Sequence, residues 1–83
     1  MNDLAEKFYA LVNAEYLSAA RHHKPLNSLH EAYAVILEEV DELWEHVRQK
    51  ASMRDRNAVL NELVQIAAMC QRTATDLAFI RDE

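Results

Sequence analysis

Glycine is absent from this chain of 83 residues, and proline and cysteine occur once each. Small sheet folds depend on tight turns, and those turns usually need glycine, so its absence excludes a strand-based fold. The single Cys70 has no partner within the chain, so no internal disulfide can staple the domain, which fits a reducing cytoplasm. Basic residues are outnumbered nine to fourteen, for a net charge of −5, and this argues against a nucleic-acid-binding protein, whose phosphate contacts come chiefly from Lys and Arg. Long apolar runs are missing too. The longest uncharged stretch of the third predicted helix, Leu63 to Gln71, is far too short to span a bilayer, and Asp3 and Glu6 stand where a signal peptide would carry a basic region.

What is present points to helices. Ala, Leu, Glu, Arg and Gln are plentiful, and these residues lose little on entering a helix. The expected class is all-α, one domain over residues 1–83. A chain this short buries only roughly 60–65% of the surface its unfolded form exposes. Yet 51% of the residues are hydrophobic, more than a lone three-helix unit hides easily, so self-association is the expected outlet.

Three helices and two joints follow from the pattern. The first is expected from about Asp3 to about Arg21, capped by Asp3 or Asn2, with Leu4, Phe8, Leu11 and Leu17 on its apolar side. Pro25 breaks it, because proline donates no backbone hydrogen bond and biases Lys24 away from helical angles. Ser28 with Glu31 three residues on reads as a capping box. The second helix then carries a seam of Leu29, Tyr33, Ile36, Val40, Leu43 and Val47 and ends near Lys50. Ser52 with Asp55 gives a weaker start signal for a third helix from about Met53 to about Arg81, with Leu60, Leu63, Ala67, Cys70, Ala74 and Leu77 as its seam. Val64, Ile66, Ala68 and Met69 widen that helix's apolar arc, and an arc this wide predicts burial by more than one neighbour, as at a subunit interface.

The charges are sorted along the chain. Glu31, Glu38, Glu39, Asp41, Glu42 and Glu45 precede Arg48, Lys50, Arg54 and Arg56, an order that partly serves the second helix's macrodipole. Glu39 and Glu42 ask for more. Three residues apart, they are surface neighbours and neither offers the other an opposite charge. At 100° per residue Glu39 lies roughly 80° from the seam centre and Glu42 roughly 140°, so Glu39 borders the core with Glu42 just outside it. Glu62 holds a similar margin on the third helix, with Gln65 one turn further along. If the two helices pack antiparallel, Glu39, Glu42, Glu62 and Gln65 can converge, and clustered hard oxygen ligands suit magnesium.

The run Glu38-Glu39-Val40-Asp41-Glu42 matches the EExxE half of the MazG-type signature, and Glu62-Leu63-Val64-Gln65 is similar to its ExxD half, across a gap of 19 residues. Over Ser28 to Leu77 the chain resembles the small all-α MazG-like nucleoside triphosphate pyrophosphohydrolases. That resemblance implies a helical bundle completed by oligomerisation to a dimer or tetramer. It implies hydrolysis of a nucleoside triphosphate to monophosphate and pyrophosphate, for instance as house-cleaning of the nucleotide pool, with Mg2+ (or Mn2+ in its place) as cofactor. Glu39, Glu42, Glu62 and Gln65 would then be metal ligands, with Glu38 and Glu39 as catalytic carboxylates, Glu38 as a further ligand or the group that orients the attacking water. Gln65 departs from the family's Asp. An amide oxygen can coordinate magnesium but carries no charge, which opens the alternative of a catalytically weakened relative that binds a nucleotide or a protein without turnover.

Other residues admit two roles each. Lys50 and Arg54 could neutralise phosphates, or cap helix ends and keep the joints wet. Trp44 could stack on a base across a subunit boundary, although bundle packing of a large aromatic is the plainer expectation. Tyr33 and Cys70 are expected in the core, and His46, four residues after Glu42, could hydrogen-bond that carboxylate.

Overall fold

The computed structural model describes residues 3–82, and everything regular in it is helical. Helix α1 spans Asp3–His22, α2 spans Leu29–Val47 and α3 spans Arg56–Asp76, with a 3-10 turn, Ala51–Met53, between the last two. Asn2, the alternative cap of the first helix, lies outside the described residues. No helix among the described residues is long and apolar enough to cross a membrane.

Local chemistry accounts for the helix limits. Ser28 accepts a hydrogen bond from the Glu31 N–H at 3.1 Å and caps α2, a contact that contributes about 1 kcal/mol. The Glu31 carboxylate reaches back one residue further than a capping box requires, accepting from the Asn27 N–H at 3.0 Å and from its side-chain amide at 3.3 Å. At the other end α2 stops at Val47, three residues short of the expected Lys50. There the Arg54 guanidinium donates to the His46 and Val47 carbonyls, at 3.0 and 2.6 Å, and satisfies two of the helix's open acceptors. Asp55 is itself the cap of α3, accepting from the Asn57 and Ala58 N–H groups, so α3 starts later than Met53.

Helix α3 also ends five residues before Arg81. Ala78 turns into the left-handed region at φ 60, its N–H bonds the Thr75 carbonyl, and the Ile80 N–H bonds the Ala74 carbonyl at 2.9 Å. A Cβ in that conformation costs about 1 kcal/mol that glycine does not. An Ala78→Gly chain is therefore expected to unfold at higher urea concentration, by about 0.5–1 kcal/mol, with an unchanged helical circular dichroism spectrum.

Helix α3 is the shared partner: α1 and α2 each pack along it and hardly meet one another. The Leu26 N–H bonds the Asp76 carboxylate at 3.0 Å, Val35 and Ile36 pack on a small core of Leu26, Ala32 and Met69, and Glu39 and Glu42 meet Glu62. That order of contacts makes α2 and α3 an antiparallel pair. On the other flank the Tyr16 hydroxyl donates to Thr75 Oγ1 at 3.1 Å, linking α1 to the last turns of α3. Arg72, one of the few buried residues, donates from Nη2 to the Lys24 carbonyl at 3.0 Å and pairs with Asp76 at 3.6 Å. Arg72 and Asp76 thus pin the α1–α2 joint at Lys24 and Leu26.

Part of each expected seam faces outward instead, whereas Ile36 and Leu43 of α2, Ala67 and Ala74 of α3 and its cap Leu77 are half-buried. On α2, Leu29, Tyr33, Leu37, Val40, Trp44 and Val47 are all exposed, Tyr33 at 66% and Trp44 at 57%. They lie within an arc of roughly 80°. The side of α2 that meets α3 carries Ala32, Val35, Ile36 and Glu39. On α3, Leu60, Leu63 and Cys70 are exposed, whereas Val64, Ala68, Met69 and Arg72 are buried. The expectations of a buried Tyr33, Trp44 and Cys70 are corrected accordingly. Both helices are apolar over more than one stripe, and periodicity alone does not say which stripe the neighbour in the same chain takes. No large side chain among the described residues is fully enclosed, and the molecule measures only 20 Å along its thinnest axis, about two helix layers.

Candidate metal centre

Three carboxylates from two helices converge where α2 crosses the first half of α3. Glu39, Glu42 and Glu62 each bring one oxygen within 4.8 Å of the others. Glu39 and Glu42 follow one another at a spacing of three on one face of α2, and the antiparallel register sets Glu62 opposite them. Glu42 opens to solvent, and Glu39 and Glu62 are half-buried.

The electrostatics are those of a crowded anionic site. Burial, above all, pushes the Glu39 carboxyl up from 4.5 to about 7, helped by hydrogen bonding to Glu62 and by the negative charges of Glu42 and Glu62. Glu62 Oε2 is buried with no hydrogen-bond partner. A buried carboxylate oxygen beside two more carboxylates is an expensive arrangement for a purely structural helix pair, because the group loses water and its neighbours offer a donor only when Glu39 is protonated. Two oxygens bound to one magnesium ion stand roughly 3 Å apart when adjacent and roughly 4 Å when opposite, so the observed spacing needs only a small side-chain adjustment. The donor set and the orphaned oxygen fit a hard divalent cation.

The remaining candidates divide. Gln65 lies one turn along α3 from Glu62 and, with Glu39, lines a neighbouring cleft of about 460 Å³. Its amide brings no charge. Glu38 is exposed and is not among the converging carboxylates. Arg54 is engaged with the carboxyl end of α2, as described, and Lys50 is an exposed residue whose carbonyl accepts from the Met53 N–H at the 3-10 turn. Trp44 sits on the outward apolar row of α2. Among the described residues no hydrogen bond joins His46 to Glu42; the His46 carbonyl serves Arg54 instead.

Nothing in the residue pattern announces the cleft itself. It opens between α1 and α2, with Gln65, Met69 and Arg72 of α3 as its floor, Glu15 and Ala19 on the α1 side, Val35 and Glu39 on the α2 side, and the joint His23–Asn27 closing one end. Arg72 carried one local signal, its place four residues before Asp76, the spacing of a helical ion pair. The chain matches no family model, and no significant match is found among curated proteins or solved structures.

Proposed function

We propose that this chain is a magnesium-dependent nucleoside triphosphate pyrophosphohydrolase of the MazG-like kind, acting as a homo-oligomer. The observation that carries the reading is the three-carboxylate cluster with the orphaned Glu62 oxygen. Glu39, Glu42 and Glu62 would hold the ion, with Gln65 available at its margin. When bound, the metal would offset negative charge on the phosphates and lower the pKa of a water. The protein's own part is to keep the carboxylates converged without help from basic neighbours, and to hold a proton on Glu39 when no cation is there. The resemblance gives Glu38 a role in orienting water, and its exposed position leaves it free to turn toward a substrate.

The oligomer has its support in the outward apolar rows. By helical geometry the α2 row lies roughly 160° from the residues of α2 that line the cleft, and the exposed row of α3 lies roughly 160° from its cleft floor. Both rows therefore face the same way, behind the cleft, and form an apolar face of the kind that marks an association surface. Light scattering behind a sizing column is expected to give a dimer or tetramer. Leu37→Glu together with Val40→Glu should shift it to monomer, whereas a monomeric parent chain would refute this part of the reading.

The test of function is a panel of nucleoside triphosphates with magnesium, assayed separately for pyrophosphate and orthophosphate. Pyrophosphate and monophosphate in equal amounts are expected. Orthophosphate release, or turnover that survives chelation of divalent ions, would reject the assignment. Gln65, neutral where the resembling family has Asp, favours a second reading in which the protein binds a metal–nucleotide complex without turnover. Magnesium-dependent binding with no pyrophosphate would select it.

A further inference from the structure

The cleft beside the carboxylates ends at a charged side chain that the proposed chemistry does not use. Arg72 is only 7% exposed, yet it lines the cleft floor. Its Nη2 is taken by the Lys24 carbonyl and Asp76, and Nη1 has only the weak acceptor Met69 Sδ at 3.8 Å. Nε has no acceptor among the described residues and is not one of the fully buried, unpartnered atoms. A buried guanidinium with spare donors, facing an open space, is built to meet an acceptor.

Position says what that acceptor belongs to. Seven residues of helix separate Gln65, beside the carboxylates, from Arg72, a rise of about 10 Å and about the length of a nucleoside. A volume of about 460 Å³ falls within the range of small-molecule sites. Glu15 of α1, a carboxylate acceptor, lines the same cleft as the donor Arg72. Ala19 and Val35 add small apolar side chains to its walls.

We infer that the cleft between α1 and α2 is the nucleoside subsite, and that Arg72 with Glu15 selects bases presenting a carbonyl oxygen beside a ring N–H. Guanine, uracil and thymine have that edge; adenine and cytosine present the reverse, an amino group beside a bare ring nitrogen. Arg72 donates to the carbonyl oxygen and Glu15 accepts from the ring N–H. Adenine would set its amino group against Arg72, leaving donor against donor, and one good bidentate pair discriminates by about 5- to 150-fold. The inference rests on the metal reading only for the direction in which the nucleotide lies.

The experiment is calorimetry on the full chain with dGTP, dTTP, dATP and dCTP, calcium replacing magnesium to prevent turnover, and with the nucleosides deoxyguanosine and deoxyadenosine without metal. Manganese binding is followed separately by its electron spin resonance signal. The parent chain is expected to bind dGTP and dTTP at least about 10-fold more tightly than dATP and dCTP. Ala19→Trp, which fills the cleft, should lose nucleotide binding and keep manganese binding. Arg72→Gln, which retains a donor for the Lys24 carbonyl, should bring the four affinities within about threefold of one another. Equal affinities in the parent, or undiminished binding in a folded Ala19→Trp chain, would overturn the inference. Loss of the metal reading shows differently: manganese fails to bind, while the preference for deoxyguanosine over deoxyadenosine still decides the subsite.

Discussion

A Glu62→Gln chain is expected to release pyrophosphate at least about 100-fold more slowly than the parent and yet to melt at a higher temperature when no divalent ion is present. The two effects have one origin. Glu62 faces Glu39 and Glu42 across the α2–α3 contact, and its Oε2 is buried without a donor. An amide of nearly the same shape removes one of three crowded charges and brings an N–H that can donate to either neighbour. Relief of repulsion and a satisfied buried group together should stabilise the cation-free protein by about 1–2 kcal/mol. The same amide is a poorer magnesium ligand, so the stabilising effect of added magnesium should shrink as activity falls. Calorimetric melts with and without magnesium, run beside a pyrophosphate assay, measure both. A variant that is less stable without cation and equally active would identify Glu62 as an ordinary structural side chain.

The second large effect is on pH. Glu39 in the folded chain titrates near 7, against 4.5 for an unperturbed carboxyl. Between those values the folded state binds more protons than the unfolded one, so this group's contribution to stability is fully present below 4.5 and is lost as pH rises through 7. Allowing for solvent screening at a half-buried site, the loss is about 2 kcal/mol. Cation-free protein should therefore melt at a lower temperature at pH 8 than at pH 5. Magnesium should reverse the trend, because the cation displaces the Glu39 proton and binds better as that proton leaves. Glu39→Gln should flatten the cation-free profile and abolish the rescue. A melting temperature that climbs steadily from pH 5 to 8 without divalent ions, in the parent chain, would contradict this.

Some of the architecture was legible because single residues settle it. Pro25 ends the first helix and Ser28 starts the second, and the missing glycines exclude hairpins. The convergence of Glu39, Glu42 and Glu62 was legible for a similar reason: spacing fixes the helix face, and antiparallel packing fixes the register. Which apolar row lies inside was not. On α2, Leu29, Tyr33 and Val40 repeat at a helical spacing just as Ala32, Ile36 and Glu39 do, and small Ala32 rather than bulky Tyr33 is the residue that admits α3 closely. Hydrophobicity ranks Tyr33 as the better core residue; close helix approach favours the alanine. Spacing pairs Arg72 with Asp76, but its hold on the joint was hidden, because only the fold brings the Lys24 carbonyl to it. Ala78 gave no warning either, since the stop it makes usually belongs to glycine.

That α1 and α2 touch α3 far more than each other has a consequence for how the molecule comes into being. Until α3 has been synthesised and released, the first two helices have no surface to fold upon, and each alone is only marginally stable in water. The joint between them is held by side chains roughly fifty positions downstream, at Arg72 and Asp76. The cleft between α1 and α2 is thus among the last features to take shape during translation, and a ribosome paused before α3 would display a nascent chain that resists protease no better than an unstructured peptide.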